Sequence, residues 1–197
     1  MSHHIYNTEG FVLSSQNVGE ANKYFQIFTR DFGMVGATAQ GVRFLKSKLR
    51  YSLQDYSYSK ISLVRGKYSW RITGAIKEKN IGNDPCGGYD KLKTIARIFA
   101  LLERLVRGEE KNESLFGQIV DACEFLEKEN LDGKILNNFE YIFVMRILNC
   151  LGYMAESKDL SEFITSSVWT MGLVSKMSAV SLEAVSQINK ALKETHL

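Results

Sequence analysis

Two hydrophobic rhythms divide the chain. Between residues 8 and 73 short apolar runs alternate with polar positions, the period of a β-strand, whereas from residue 92 apolar groups recur every three or four positions, the period of a helix. In the first part Thr8–Leu13 (TEGFVL) reads as a strand and Ser14–Ala21 as a turn carrying Asn17 and Gly19; Tyr24–Thr29 (YFQIFT) reads as a second strand. Phe25 and Ile27 point one way and Tyr24, Gln26 and Phe28 the other, so both faces are partly apolar, as in a small barrel packed against something outside it. Asp31–Gly33 turns into a third strand, Met34–Val42, whose Gly36 and Gly41 suit the corners of a barrel. Asp55–Val64 gives a fourth strand, and Tyr68, Trp70 and Ile72 alternate with Ser69, Arg71 and Thr73 in a fifth. Five short strands with tight turns and one longer loop predict a β-barrel of the oligonucleotide-binding type.

The fourth strand has an informative phase. If Ile61 and Leu63 face the core, parity sends Tyr56 and Tyr58 to the opposite face, where they would form a platform for stacking. A bulge near Ser59 or Lys60 would instead reset the phase and bury all four.

Asn80–Gly88 (NIGNDPCGG) holds three glycines and the one proline of the sequence, which marks a linker between a first domain, residues 1–80, and a second, residues 81–197. Beyond it Leu92, Ile95, Phe99, Leu102 and Leu105 form a helical stripe closing at Gly108. Asn112 is placed to cap a second helix with Leu115, Ile119, Ala122 and Leu126 on its buried side. Leu136–Leu151 is apolar nearly all round, which suits the centre of a bundle, and Gly152 suits its C-terminal cap. Leu160–Thr165 reads as one helical turn, and no element is assigned to Val168–Leu173. Leu182, Val185, Ile188 and Leu192 predict a last amphipathic helix with Ser181 as cap, so the second domain is expected to be an all-α bundle and the whole chain α+β.

Charge sharpens this division. Residues 1–80 carry 12 Lys/Arg against 5 Asp/Glu, a net +7, while the remainder is −4, within a total of +3. A basic barrel before a mildly acidic bundle points to a polyanionic partner for the first module. Cys86, Cys123 and Cys150 are widely spaced with no C-x-x-C pair, which fits a reducing cytosol and provides neither a disulfide framework nor a four-ligand zinc site. The most apolar run, Tyr141–Leu151, is interrupted by Arg146 and Asn149 and too short to span a bilayer, and no secretion signal is read at the start.

Catalytic signatures are missing: there is no G-x-x-x-x-G-K-[ST], H-E-x-x-H, G-x-S-x-G or G-x-G-x-x-G. The histidines, His3, His4 and His196, are all terminal, and the carboxylates of the helical half fall where solvated helix faces would. What remains is binding, with no enzyme activity, cofactor or metal expected. Within Phe28–Lys67 the loop holding Arg43, Lys46, Lys48 and Arg50 packs four cations into eight residues without an acid, with Phe44 and Tyr51 beside them. Cations can neutralise phosphates and exposed aromatic rings can stack on bases. Lys23, Arg30, Arg65, Lys67 and Arg71 flank neighbouring strands and are expected to extend the phosphate-binding surface; Phe44, Tyr51, Tyr56 and Tyr58 are the stacking candidates, while Phe11, Phe25, Phe28 and Trp70 read as core.

The order of these features resembles the RecO family of bacterial recombination mediators. The residues that carry the resemblance are Thr8-Glu9-Gly10 with Val12 and Leu13, Gly19-Glu20-Ala21, Phe28-Thr29-Arg30 with Gly33, Ala39 and Gly41, Ser47 and Leu49, Leu53-Gln54, and Leu63-Val64-Arg65-Gly66. Later, Phe139 followed by Arg146-Ile147-Leu148 and Leu151-Gly152-Tyr153 is similar to the family's F…R-L-L-x-x-L-G-Y pattern. The resemblance implies a cytoplasmic, nucleoid-associated protein that binds single- and double-stranded DNA and anneals complementary strands. It also implies that the protein acts with a RecR-type mediator to load the RecA recombinase onto DNA coated by single-strand-binding protein. Tyr153 is followed by MAESKDLSEF, without the four cysteines many relatives carry there, so the family's zinc site is absent. Two other readings fit the residues: an RNA-binding barrel of similar architecture, and an adaptor whose helical bundle carries the function.

Overall fold

The computed structural model describes residues 4–67, 69–81, 88–154 and 158–195; Tyr68, His3, His196, Cys86 and most of the expected linker lie outside them. The chain divides into two compact units, Met1–Ile81 with Phe99–Glu113, and Gly82–Ile98 with Ser114–Leu197.

The first unit is built on five strands: β1 (Ile5–Val18), β2 (Asn22–Thr29), β3 (Gly33–Ala39), β4 (Ser57–Arg65) and β5 (Trp70–Asn80). They close into a barrel in the order β1-β2-β3-β5-β4. All neighbours are antiparallel except β3 and β5, which run parallel. Val12, Phe25, Ile27, Val35, Ala37, Ile61, Leu63, Trp70 and Ile72 fill its interior.

Two strands are longer than their patterns suggest. β1 continues through the expected turn, pairing Ser14–Val18 with Asn22–Gln26, because backbone bonds hold a strand even where its side chains are polar. A bulge at Leu13, between Val12 and Ser14, allows three consecutive residues, Phe11, Val12 and Leu13, all to be buried. β5 runs on to Asn80 and skips Thr73 and Glu78 in its pairing with β4. The irregularity opposite Ser59 therefore belongs to β5, and β4 keeps one parity: Ser57, Ser59, Ile61 and Leu63 face inward and Tyr58 outward.

The outer face of β1 and β2 is apolar as well. Phe28, Phe11 and Tyr58 lie side by side across β2, β1 and β4, with the Phe11 and Tyr58 rings stacked at 4.8 Å. Phe99, which begins the share of helix α2 (Gly88–Leu105) that belongs to this unit, sets its ring edge-on to Phe11 at 5.8 Å. Residues 106–113 then run as a strap against the barrel. Gly108 O accepts the Met34 amide at 3.1 Å, Trp70 Nε1 donates to Glu109 at 2.9 Å, and Glu109 also holds Arg65 at 3.2 Å. Gly33, at φ +63°, faces the Glu110 backbone so closely that a Cβ would overlap it.

The second unit is helical. Beyond the first part of α2 it contains α3 (Glu113–Lys128), α4 (Gly133–Cys150), α5 (Ser161–Thr165), α6 (Met171–Lys176) and α7 (Ser181–Glu194). α4 is buried on nearly every side and packs against α5, α6 and α7. Its end is stopped by Gly152 at φ +77°, with the Tyr153 amide reaching back to Leu148 O at 2.9 Å. The segment without a sequence assignment holds α6, capped by Thr170 Oγ1 accepting the Leu173 amide at 3.1 Å. Two details of α7 differ from expectation. Its buried stripe is Ala184, Ile188 and Ala191, leaving Leu182 at 88% exposure, and Ser181 turns its hydroxyl to Ser178 O instead of capping the helix. Among the described residues no helix is long and apolar enough to cross a membrane.

Replacing Gly33 with alanine should destabilise the barrel by about 2 kcal/mol or more, since a side chain at positive φ adds strain and the strap must also move away. Urea unfolding should show this as a lower midpoint at unchanged slope.

Candidate nucleic-acid interface

The stretch between β3 and β4 is a built finger. Val42 (2% exposed) and Leu53 (3%) enter the barrel core at its two ends, and Leu49 packs beside them. Between them successive turns fold the chain: the amides of Phe44, Ser47 and Arg50 bond to the carbonyls of Gly41, Phe44 and Ser47 at 3.1, 3.0 and 3.3 Å. A short helix, α1 (Leu49–Ser52), follows. Its C-terminal carbonyl, Ser52 O, accepts the hydroxyls of the inward Ser57 and Ser59 at 3.3 and 2.7 Å, which satisfies two polar groups buried in β4 and fixes the root of the finger.

The other edge is tied to the β1–β2 turn. Asn22 Oδ1 accepts the Gly41 amide at 2.9 Å, Ala21 O accepts the Arg43 amide at 3.0 Å, and Arg43 Nη1 donates to Gly19 O at 2.8 Å. Gly41 sits at φ +64° with the Phe44 ring lying against it.

This brings part of the candidate set together. Arg43, Lys46, Lys48 and Arg50 are all exposed on the finger, and among the described residues none makes an ion pair with an acid. Lys23 stands at the start of β2, its Nζ donating to Ser15 Oγ at 3.1 Å. Tyr51 is 68% exposed, with the Lys77 ammonium 3.4 Å from its ring centroid; Lys77 also donates to Gln54 at 3.0 Å. Phe44 is 64% exposed and Leu45 89%.

The remaining candidates sit elsewhere. Arg71 is exposed on β5, opposite Thr38 of β3, which is in turn opposite Tyr24 of β2. Lys67 is exposed beyond β4. Arg65 is held by Glu109 and lies 5.2 Å from the centroid of the Trp70 ring. Arg30 pairs with Glu9 at 2.7 Å, and Tyr58 donates to the same Glu9 oxygen at 2.8 Å. Burial disfavours the Arg30 cation, but its hydrogen bond with Tyr58 and the charge of Glu9 outweigh this and hold its pKa above the ordinary value. Burial, followed by the bond to Glu9, pushes the Tyr58 phenol up to about 12. Tyr56 adopts φ 64°, is pinned by backbone bonds to Val12 and Ile81, and lies 6.1 Å from the Phe99 ring. Burial is also the main cause of its raised pKa.

A cleft of about 860 Å³ beside this network is lined by Glu9, Arg30, Asp31, Lys48, Lys60 and Ile76 among others. Its mixed signs make it a poorer path for a polyanion than the acid-free finger. In the helical unit Arg146 is 3% exposed, donates to Phe163 O at 2.8 Å and lies 4.2 Å from the Trp169 ring centroid; burial lowers its pKa to about 10. Among the described residues no cluster of histidine, cysteine and carboxylate side chains is arranged to hold a metal ion.

Residues 1–76 match the family model described as recombination protein O N terminal. The chain is 35% identical over 162 residues to a DNA repair protein RecO of Dehalococcoides mccartyi, covering 81% of this chain and 61% of that one. It is 29% identical over 137 residues to the DNA repair protein RecO of Alkaliphilus metalliredigens, covering 69% and 55%. The match to the DNA repair protein RecO of Caldanaerobacter subterraneus is 26% over 147 residues, covering 75% and 58%. The matched part of this chain thus spans between 55% and 61% of the length of these relatives.

Because the folded pKa of Tyr58 is raised from an ordinary value of about 10, the stability it contributes is complete below pH ~10 and is lost as pH rises through about 12. An ultraviolet difference titration should show one phenol ionising at about pH 12 that is missing from Tyr58→Phe. That variant should also lose less stability over the same alkaline window.

Proposed function

The chain belongs to the RecO family, and from that premise we propose that it is a non-enzymatic DNA-binding mediator of repair and recombination. The observation that carries this reading is the finger between β3 and β4: four exposed cations without an acidic partner among the described residues, on a loop anchored in the barrel core. Arg43, Lys46, Lys48 and Arg50 neutralise phosphates, and Lys23, Arg71 and Lys67 are further cations of the first unit that can extend the path. Arg30 and Arg65 contribute less, because Glu9 and Glu109 already compensate their charge. Phe44 and the face of Tyr51 that Lys77 leaves open are available to bases, whereas Tyr56 and Tyr58 are largely committed to packing against Phe99 and Phe11.

The five-stranded closed order, with its single parallel pair and a helix between the third and fourth strands, supports the assignment of the barrel to the oligonucleotide-binding type. Binding of single-stranded DNA, and of duplex DNA through the same phosphates, follows from this chemistry. Annealing needs no bond chemistry, since a cationic surface that reduces repulsion between strands while leaving base edges free is sufficient. Cooperation with a RecR-type partner and with single-strand-binding protein in loading the RecA recombinase is part of the same proposal, carried over from the family resemblance.

If about four to six phosphates of single-stranded DNA are contacted, log K should fall against log salt concentration with a slope of roughly −3 to −4 in an anisotropy titration. Replacing Lys46, Lys48 and Arg50 together with alanine should make that slope shallower by about 2 and weaken all sequences alike. Arg65→Ala should leave it nearly unchanged. A slope near zero for the unmodified protein would refute the proposal.

A further inference from the structure

The finger presents something that phosphate binding does not require. Phe44 and Leu45 lie in its successive turns 64% and 89% exposed, although Val42, Leu49 and Leu53 of the same segment are turned toward the core. Two large apolar side chains in water are costly relative to burial. The turns that hold them are fixed by bonds to Gly41, Ala21, Gly19 and Asn22, so their outward position is built into the loop.

The surroundings select the partner. Arg43 precedes the pair and Lys46, Lys48 and Arg50 follow it, with no acid between Asp31 and Asp55. A protein partner with an apolar socket would have no need of this ring of cations. An anionic bilayer would satisfy the charge, but a tip of two residues is far smaller than the apolar face of an interfacial helix. Nucleic acid matches both parts, since it places apolar base faces a short distance behind a line of phosphates. Apolar side chains inserted between bases unstack them, and the energy is recovered from the contacts that insertion allows.

We propose that Phe44 and Leu45 form an apolar wedge that enters the base stack of the DNA held by the surrounding cations, Leu45 separating two neighbouring bases and Phe44 stacking on one of them. This rests on the DNA-binding reading above and adds a distinct act to it. A surface that both grips phosphates and unstacks bases would leave a bound strand with its pairing edges open to a complementary strand.

The test uses the full chain with a single-stranded oligonucleotide carrying 2-aminopurine, whose emission rises when it is unstacked, and measures affinity on the same oligonucleotide by anisotropy. The unmodified protein should raise the emission at saturation. Leu45→Lys should bind at least as tightly, because it adds a cation, yet produce no rise; at 89% exposure the substitution does not disturb the core. Phe44→Ala with Leu45→Ala should weaken binding by about ten-fold, within the range for a lost stacking contact, while retaining the salt slope. An emission rise in Leu45→Lys equal to that of the unmodified protein, or saturated binding by the unmodified protein with no rise, would overturn the wedge and leave DNA binding intact. Absence of any salt-dependent binding would overturn both. Capture by phosphatidylglycerol vesicles that is lost in Leu45→Lys, with no change in 2-aminopurine emission, would assign the tip to a membrane and overturn the proposal.

Discussion

A five-stranded barrel of this size has an apolar exterior to hide as well as an interior to fill. Phe11 and Phe28, paired across β1 and β2, point away from the side that Val12, Phe25 and Ile27 take, and both are essentially inaccessible to water. That second face is the constraint on which the first unit depends. It explains why the unit includes Phe99–Glu113, a segment remote in sequence, and why the strap is bound at Met34, Trp70 and Arg65. It also explains the fate of several charges: Glu109 arrives with the strap and takes Arg65, while Glu9, on the same outer row as Phe11, takes Arg30 and Tyr58.

The consequence for the interface is a sorting of cations by their neighbours. In a sequence Arg30 and Arg50 look alike. In the fold one is paired with a carboxylate 21 positions earlier and the other has no acidic partner among the described residues. Arg30 and Arg65 are thereby compensated, whereas the four cations of the finger form an exposed run with no acid in the sequence between Asp31 and Asp55.

What could be read from the residues alone follows from the reach of each signal. The parity of Ile61 and Leu63 against Tyr58, the stripes of α2 and α3 and the stop at Gly152 depend on near neighbours, and the strand and helix periods express them. The second half of β1 carries no such signal, because Ser14–Val18 is held by pairing with β2 and not by burial. Ser57 and Ser59 look like surface residues and are inside only because α1 presents a carbonyl to them. In α7 the small residues Ala184 and Ala191 complete the buried stripe around Ile188, and a pattern of large apolar residues does not show them, so Leu182 reads as part of that stripe although it is exposed. Leu45 carries no local signal of its exposure, since nothing in a short pattern distinguishes a leucine displayed to water from one turned inward.

The bonds from Ser57 and Ser59 to Ser52 have an effect that reaches the tip. Fraying α1 would strand two hydroxyls in the barrel mouth, so the hinge on which a loop of this length would ordinarily swing is locked. With Val42 seated at the other root, residues 43–48 have little conformational freedom left to surrender to a ligand. The ordering cost is met when the chain folds, so encounter with a partner should resemble the docking of a rigid tooth more than the tightening of a slack arm.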